Sequence, residues 1–119
     1  MNEEKVKTYN IRHRAYYFSK AVIEFISSSK YERIYYSIFD QLLRNTTSVG
    51  ANLVEGISGS SKKDFVNFYR IALKSANETK YWLCLIRDTL NADKRRLEEL
   101  LKEAGEISKI IASIIIAIK

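Results

Sequence analysis

Residues 97–118, LEELLKEAGEISKIIASIIIAI, decide the fold. Leu97, Leu100, Ala104, Ile107, Ile111, Ile114 and Ile118 step by 3 and 4 without a miss. That spacing lines apolar side chains along one face of an α-helix, and at this regularity along the seam of a bundle. The stretch also carries a surplus. Ile110, Ile111, Ala112, Ile114, Ile115, Ile116, Ala117 and Ile118 cover nearly the whole circumference, and a helix apolar all round must be buried all round. One side is expected to face its own bundle and the other a second subunit, because an isoleucine patch left in water is an aggregation hazard. Ile110, Ile111, Ile114, Ile115 and Ile118 are therefore the candidate oligomer interface. Gly105 costs ~1 kcal/mol against alanine inside a helix, which predicts close packing against a neighbour there.

Working outward from that helix, taken as about 93–118, Asn91-Ala92-Asp93 makes a turn with Asp93 as the N-cap. A third helix, about 61–89, starts at Ser61 with Asp64 three residues on, the capping-box pattern. Its expected core face is Phe65, Phe68, Ala72, Ala76, Leu83 and Ile86. A second, about 31–57, places Ile34, Ile38, Leu42, Val49 and Leu53 on one face, with Thr46 in the gap and Gly56 and Gly59 at its end. In the first, about 8–28, Ile11, Ala15, Phe18, Val22 and Phe25 form the stripe, and Ser27-Ser28-Ser29 ends it. The chain has no proline and four glycines, so it has few breakers. Four helices with short connections predict an all-α single domain over residues 1–119, folded as an up-down-up-down four-helix bundle.

A chain of 119 residues is one ordinary domain, large enough for its own core. Its formal charge of +6 and pI near 9.4 favour anionic partners. Residues 1–30 and 61–90 hold most of the excess. Cys84 is the single cysteine, which fits a reducing compartment, and the polar stretch from Met1 to Asn10 has no apolar run of a signal peptide. Ile110 to Ile118 is far shorter than the ~20 residues that span a bilayer. The expectation is a cytoplasmic protein with no membrane association.

Chemistry is hard to place in this chain. One histidine, His13, and one cysteine are too few for a zinc set, and no Glu-x-x-His pair of a di-iron bundle occurs. Gly56-Ile57-Ser58-Gly59 lacks the pattern of a phosphate loop. No cofactor, metal or catalytic residue is expected. A binding face is easier to find. Lys63, Asn67, Arg70, Lys74, Asn77 and Tyr81 step by 4, 3, 4, 3 and 4 opposite the third helix's apolar stripe, a row of cations, amides and a tyrosine suited to phosphates and bases. Lys62 and Lys63 stand in the first turn, against the helix dipole. Arg12, His13, Arg14 and Lys20 are candidates to extend this face from the first helix. In the second helix, Arg44, Asn45, Thr46, Thr47, Ser48, Asn52 and Glu55 make a polar centre. Asp40 and Arg44 are spaced as an i,i+4 pair. Glu55, near a helix C-terminus, is expected to pair with a cation on another helix. Arg44, Asn52 and Glu55 are read as a structural polar network, since no nucleophile and base stand beside them.

Three stretches carry a family resemblance: Gln41-Leu-Leu-Arg44-Asn-Thr-Thr-Ser48-Val-Gly50-Ala-Asn52-Leu-Val-Glu55-Gly56, Ser61-Lys-Lys-Asp64-Phe65-Val-Asn-Phe68, and Ile71-Ala72-Leu-Lys-Ser75-Ala-Asn-Glu78-Thr-Lys-Tyr81-Trp-Leu83. They resemble the bacterial "four helix bundle protein" family. It includes proteins encoded in intervening sequences of large-subunit ribosomal RNA genes and is similar to the accessory variability protein of diversity-generating retroelements. The resemblance covers roughly residues 10–117 and is most specific from Gln41 to Leu83. It implies an up-down bundle assembled as a homopentamer, with no known catalytic activity. For the retroelement relatives it implies a basic surface that binds nucleic acid and a reverse transcriptase partner. Arg44, Asn52, Glu55 and Gly56 match the family's signature. Lys74 departs from it, standing where many members carry glycine.

The function expected from these readings is that of a non-enzymatic, homo-oligomeric accessory protein. It binds RNA or DNA largely non-specifically through Lys62, Lys63, Asn67, Arg70, Lys74 and Tyr81, with Arg12 and Arg14. Its partners would be itself, nucleic acid, and a reverse transcriptase or other protein. The alternative is a structural or adaptor protein that binds another protein, its positive charge serving only solubility.

Overall fold

The computed structural model describes the backbone of residues 3–59 and 61–118, and the side chains of residues 10–59 and 61–118. Helix α1 spans Glu3–Ser28, α2 Tyr36–Ser58, α3 Lys62–Thr89 and α4 Lys94–Ile118, with a 3-10 turn at Arg33–Tyr35. Each helix packs on two others, in the cyclic order α1, α2, α3, α4. Side-chain contacts set the directions. Arg14 of α1 meets Glu103 of α4 while Glu24, further along α1, meets Arg96, earlier in α4, so these helices run antiparallel. The same logic holds for α1 and α2, where Ser19 reaches the Thr46 carbonyl and Ala15 abuts Gly50. The result is an all-α four-helix bundle of 45 × 22 × 19 Å.

The stripes read from the sequence fill its axis. Ile11, Ala15, Phe18, Val22 and Phe25 from α1 are buried, as are Leu42, Thr46, Val49 and Leu53 from α2 and Leu97, Leu100, Ala104, Ile107, Ile111 and Ile114 from α4. Two helix starts are capped by side chains: Asp64 N–H donates to Ser61 Oγ at 3.1 Å, and Arg96 N–H to Asp93 Oδ1 at 3.1 Å. Each satisfies an amide that has no partner inside its helix.

Several expectations need correction. Helix α2 begins at Tyr36, not near residue 31, and Ile34 is 76% exposed. No Ser, Thr, Asp or Asn caps the segment 31–35, and Tyr31 instead stacks on Phe39, centroids 3.7 Å apart at 10°, which holds the incoming chain across the bundle's end. In α3, Val66 and Tyr69 take the core positions expected of Phe65 and Phe68, which are half-buried at the seams. The phase turns because Tyr69 lies against Gly56, whose missing side chain makes room for the ring. Gly105 is not closely packed: a Cβ there would meet nothing within 4 Å among the described residues.

Helix α4 also differs at its end. Ile111, Ile114 and Ile115 are only 0%, 3% and 7% exposed within the single chain. They are core residues, already covered by the chain's own helices, and are not available as an interface. Ile110 and Ile118 are half-buried, and Ile116 is the isoleucine left outside.

Candidate nucleic-acid interface

Helix α3 presents Lys62, Lys63, Asn67, Arg70, Lys74 and Tyr81 as exposed side chains, as its periodicity requires. None of its lysines, nor Arg70, takes part in a salt bridge among the described residues. Arg70, Lys74, Asn77 and Tyr81 line one shallow hollow together with Leu73 and Glu78. The hollow therefore mixes two cations, an amide, a phenol and one carboxylate.

A second row, missed in the sequence reading, lies on α4. Arg95, Lys102 and Lys109 are exposed and spaced seven residues apart, which places them on one line of the helix about 10.5 Å apart. Arg95 and Lys102 are three residues before and four after Glu98, which pairs with Arg87 of α3 at 3.1 Å. The row thus lies on the outer face of α4, opposite its core stripe, and at its far end Lys109 shares a shallow hollow with Asn10, His13 and Arg14 of α1. Arg95 has Glu99 at 3.6 Å; Lys102 and Lys109 form no salt bridge among the described residues. Their spacing was visible in the sequence, but the glutamates interleaved along α4 hid it.

The candidates on α1 are separate from the α3 row, and only His13 and Arg14 come near the α4 row, at Lys109. The guanidinium of Arg14 donates to Glu103 at 2.5 and 3.0 Å and to Glu106 at 2.6 Å. Those bonds raise its pKa above the ordinary arginine value, and in return the hydrogen bond from Arg14, helped by its charge, holds the Glu106 carboxyl below the usual carboxylate range. Arg14 is an α1–α4 clasp, and a phosphate would have to displace two carboxylates to reach it. Arg12 is half-buried with its Nε shielded from solvent, and its charge opposes the rise that burial gives the Tyr69 pKa. His13 and Lys20 are exposed on α1. Across the described residues, every salt bridge uses an arginine, and Arg14, Arg87 and Arg96 use theirs to join neighbouring helices.

The polar centre of α2 is structural, with different members from those expected. Asn52 Nδ2 donates to the Ser48 carbonyl at 2.8 Å and to Ser48 Oγ at 3.0 Å, and Ser75 Oγ of α3 donates to the same hydroxyl at 2.9 Å. Thr79 Oγ1 donates to the Ser75 carbonyl at 2.8 Å. This chain of small hydroxyls lets α2 and α3 approach closely and leaves its polar groups paired. Arg44 takes no part in it. It is 72% exposed and pairs with Asp40 at 2.8 Å, the i,i+4 contact its spacing predicts, and that pairing raises its pKa. Glu55 is exposed on α2 and has no salt bridge among the described residues. Both are exposed on α2 and contribute no hydrogen bond to the Ser48–Ser75 seam among the described residues.

No group of three or more His, Cys, Asp or Glu side chains among the described residues is placed to hold a metal ion. No described helix is long and apolar enough to cross a membrane.

A family model described as 23S rRNA-intervening sequence protein matches residues 7–113. Among solved structures, a protein of unknown function from the S23 ribosomal protein family of Bacteroides thetaiotaomicron is similar. It shares 33% sequence identity, the match covers 92% of this chain and 97% of that one, and the TM-score is 0.82. No curated protein matches. Both matches agree with the resemblance carried by Gln41 to Leu83.

Proposed function

The chain belongs to the 23S rRNA-intervening sequence protein family, and from that footing we propose that it is a non-enzymatic accessory protein that binds RNA or DNA through the α3–α4 side of the bundle. The observation that carries this reading is the pair of cation rows, Lys63, Arg70 and Lys74 on α3 and Arg95, Lys102 and Lys109 on α4, exposed along neighbouring helices. Unpaired surface lysines destabilise a basic protein through self-repulsion unless a counter-charge is supplied. A phosphate backbone supplies it, and releasing condensed counterions from that backbone drives non-specific binding.

The proposal includes self-association, with a pentamer as the stoichiometry implied by the resemblance. What favours association is the apolar surface left on the opposite side of the bundle. Tyr16 and Ile23 lie three residues before and four after Ser19, which bonds to α2, and Val54 lies four after Gly50, which abuts α1. These side chains flank the α1–α2 seam, together with Ile57, at 65%, 45%, 50% and 41% exposure for Tyr16, Ile23, Val54 and Ile57. Copies joined through this seam would turn their lysine rows outward.

Binding of a generic RNA and a generic DNA at two salt concentrations, with mass in solution measured on the same sample, tests the reading. Salt-sensitive binding that Lys63→Glu/Arg70→Glu/Lys74→Glu abolishes supports it. Absence of binding at low salt would move the function to protein partners, the role that the same apolar seam would serve in an adaptor.

A further inference from the structure

A cleft of about 470 Å³ opens at the end of the bundle where α1 turns into α2 and α3 into α4. Its size is in the range of small-ligand sites. Phe25, Phe39 and Leu90 form part of its wall, with Tyr31 and Tyr35 beside them. Tyr31 is already engaged, stacked on Phe39. Tyr35 is half-buried and lines the same cleft, and no other ring among the described residues stacks on it. The charged groups of the cleft are Lys30 and Arg96 against Glu32 and Asp93, which cancel. Arg96 has Glu24 at 3.9 Å as well, and Asp93 is held as the α4 cap. Such a cleft favours neither a small free anion nor a cation. It favours a flat, uncharged group whose edge offers both donors and acceptors.

We propose that this cleft holds one unpaired nucleobase of a single-stranded nucleic acid, stacked on Tyr35, while the strand's phosphates follow the α4 cation row. The inference rests on the nucleic-acid reading above and narrows its ligand from any polyanion to a strand with accessible bases. Continuity supports it. Arg96 lines the cleft and its neighbour Arg95 heads the row that runs through Lys102 to Lys109, over roughly 21 Å of helix. Stacking on an aromatic ring is sequence-tolerant, since every base has a π-face, so this site would add a preference for single strands without adding sequence specificity.

The test uses the full chain and a short strand carrying one 2-aminopurine, as RNA and as DNA. It is compared with the same strand bearing an abasic position and with a duplex of equal length, all at one salt concentration. Stacking predicts quenched 2-aminopurine fluorescence and an affinity about tenfold above that for the abasic strand and the duplex. Tyr35→Ala brings the single strand down to the abasic level, and Tyr35→Phe keeps the preference. The tighter of RNA and DNA identifies the source of the base. The abasic comparison needs no variant, so a misfolded Tyr35→Ala does not blunt it. If Lys102→Glu/Lys109→Glu weakens binding while base removal and Tyr35→Ala change nothing, the cleft proposal is overturned and the general reading stands. If the wild-type chain binds no strand at low salt, both fall.

Discussion

One side of the Tyr69 ring lies against Gly56, so close that a Cβ at position 56 would stand 2.9 Å from its Cδ1 and Cε1. Phe65 stacks on the ring, centroids 4.1 Å apart, and the side chain is fully buried, so any shift of the ring must move its neighbours. Gly56→Ala is therefore expected to destabilise by about 1–2 kcal/mol, overpacking outweighing the better helix propensity of alanine. Gly105→Ala, at an open helical position, is expected to stabilise by up to about 1 kcal/mol. Denaturant midpoints of the two variants should move in opposite directions; a stabilising Gly56→Ala would mean the two helices separate easily there.

Tyr69 has a second consequence. Its side chain is fully buried and its hydroxyl has no hydrogen-bond partner among the described residues. Desolvation pushes its pKa up to about 12 from 10.0, with the Arg12 charge opposing. Because the folded value lies above the unfolded one, the contribution is fully present below pH about 10 and is lost as the pH rises toward 12, amounting to about 2–3 kcal/mol. Tyr69→Phe should remove that part of the alkaline loss and be neutral or stabilising at pH 7. Parallel stability–pH curves for the two proteins would contradict this.

Arg14 and the lysine rows should separate stability from binding. Arg14→Ala breaks a half-exposed clasp to Glu103 and Glu106 and is expected to cost about 1 kcal/mol of stability, with little change in affinity for nucleic acid. Lys102→Glu/Lys109→Glu should do the reverse, leaving the melting temperature near wild type. A large loss of affinity in Arg14→Ala at unchanged fold would return α1 to the interface.

Two neighbouring isoleucines of α4 make a similar contrast. Ile115→Asp places a carboxylate in the core and is expected to unfold the chain. Ile116, 75% exposed, accepts aspartate without loss of fold. On the proposed seam, Tyr16→Asp/Val54→Asp should lower the mass in solution while helicity stays constant. An unchanged mass for that pair would contradict the α1–α2 seam as the interface.

Much of the fold was legible because its determinants are local. The stepping of Leu97 to Ile118, the caps at Ser61 and Asp93, and the Asp40–Arg44 pair each depend on residues a turn or two apart. The misreadings turned on packing that the local sequence does not show, or on a partner that is not there among the described residues. Ile34 looked like core until Tyr31 was seen to pack back on Phe39, and Phe68 outranked Tyr69 in hydrophobicity until Gly56 made room for the larger ring. Arg14 resembled a free cation because its carboxylates lie 89 and 92 residues away. Glu55 was assigned a partner by dipole logic, yet a solvated carboxylate at a helix end costs too little to demand one. The candidate binding face was half legible. The α3 row stood out because few acids interrupt it, whereas Arg95, Lys102 and Lys109 share their helix with Glu98, Glu99, Glu103 and Glu106, and only the fold shows which of these are turned away or already paired.

The most direct test of the account is the salt dependence of RNA affinity for the wild-type chain and for Lys63→Glu/Arg70→Glu/Lys74→Glu, measured across a range of salt. The account predicts that the logarithm of the wild-type association constant falls linearly with the logarithm of salt, and that the variant binds weakly with a shallower slope. A variant that keeps both wild-type affinity and wild-type slope, while folded, would contradict it.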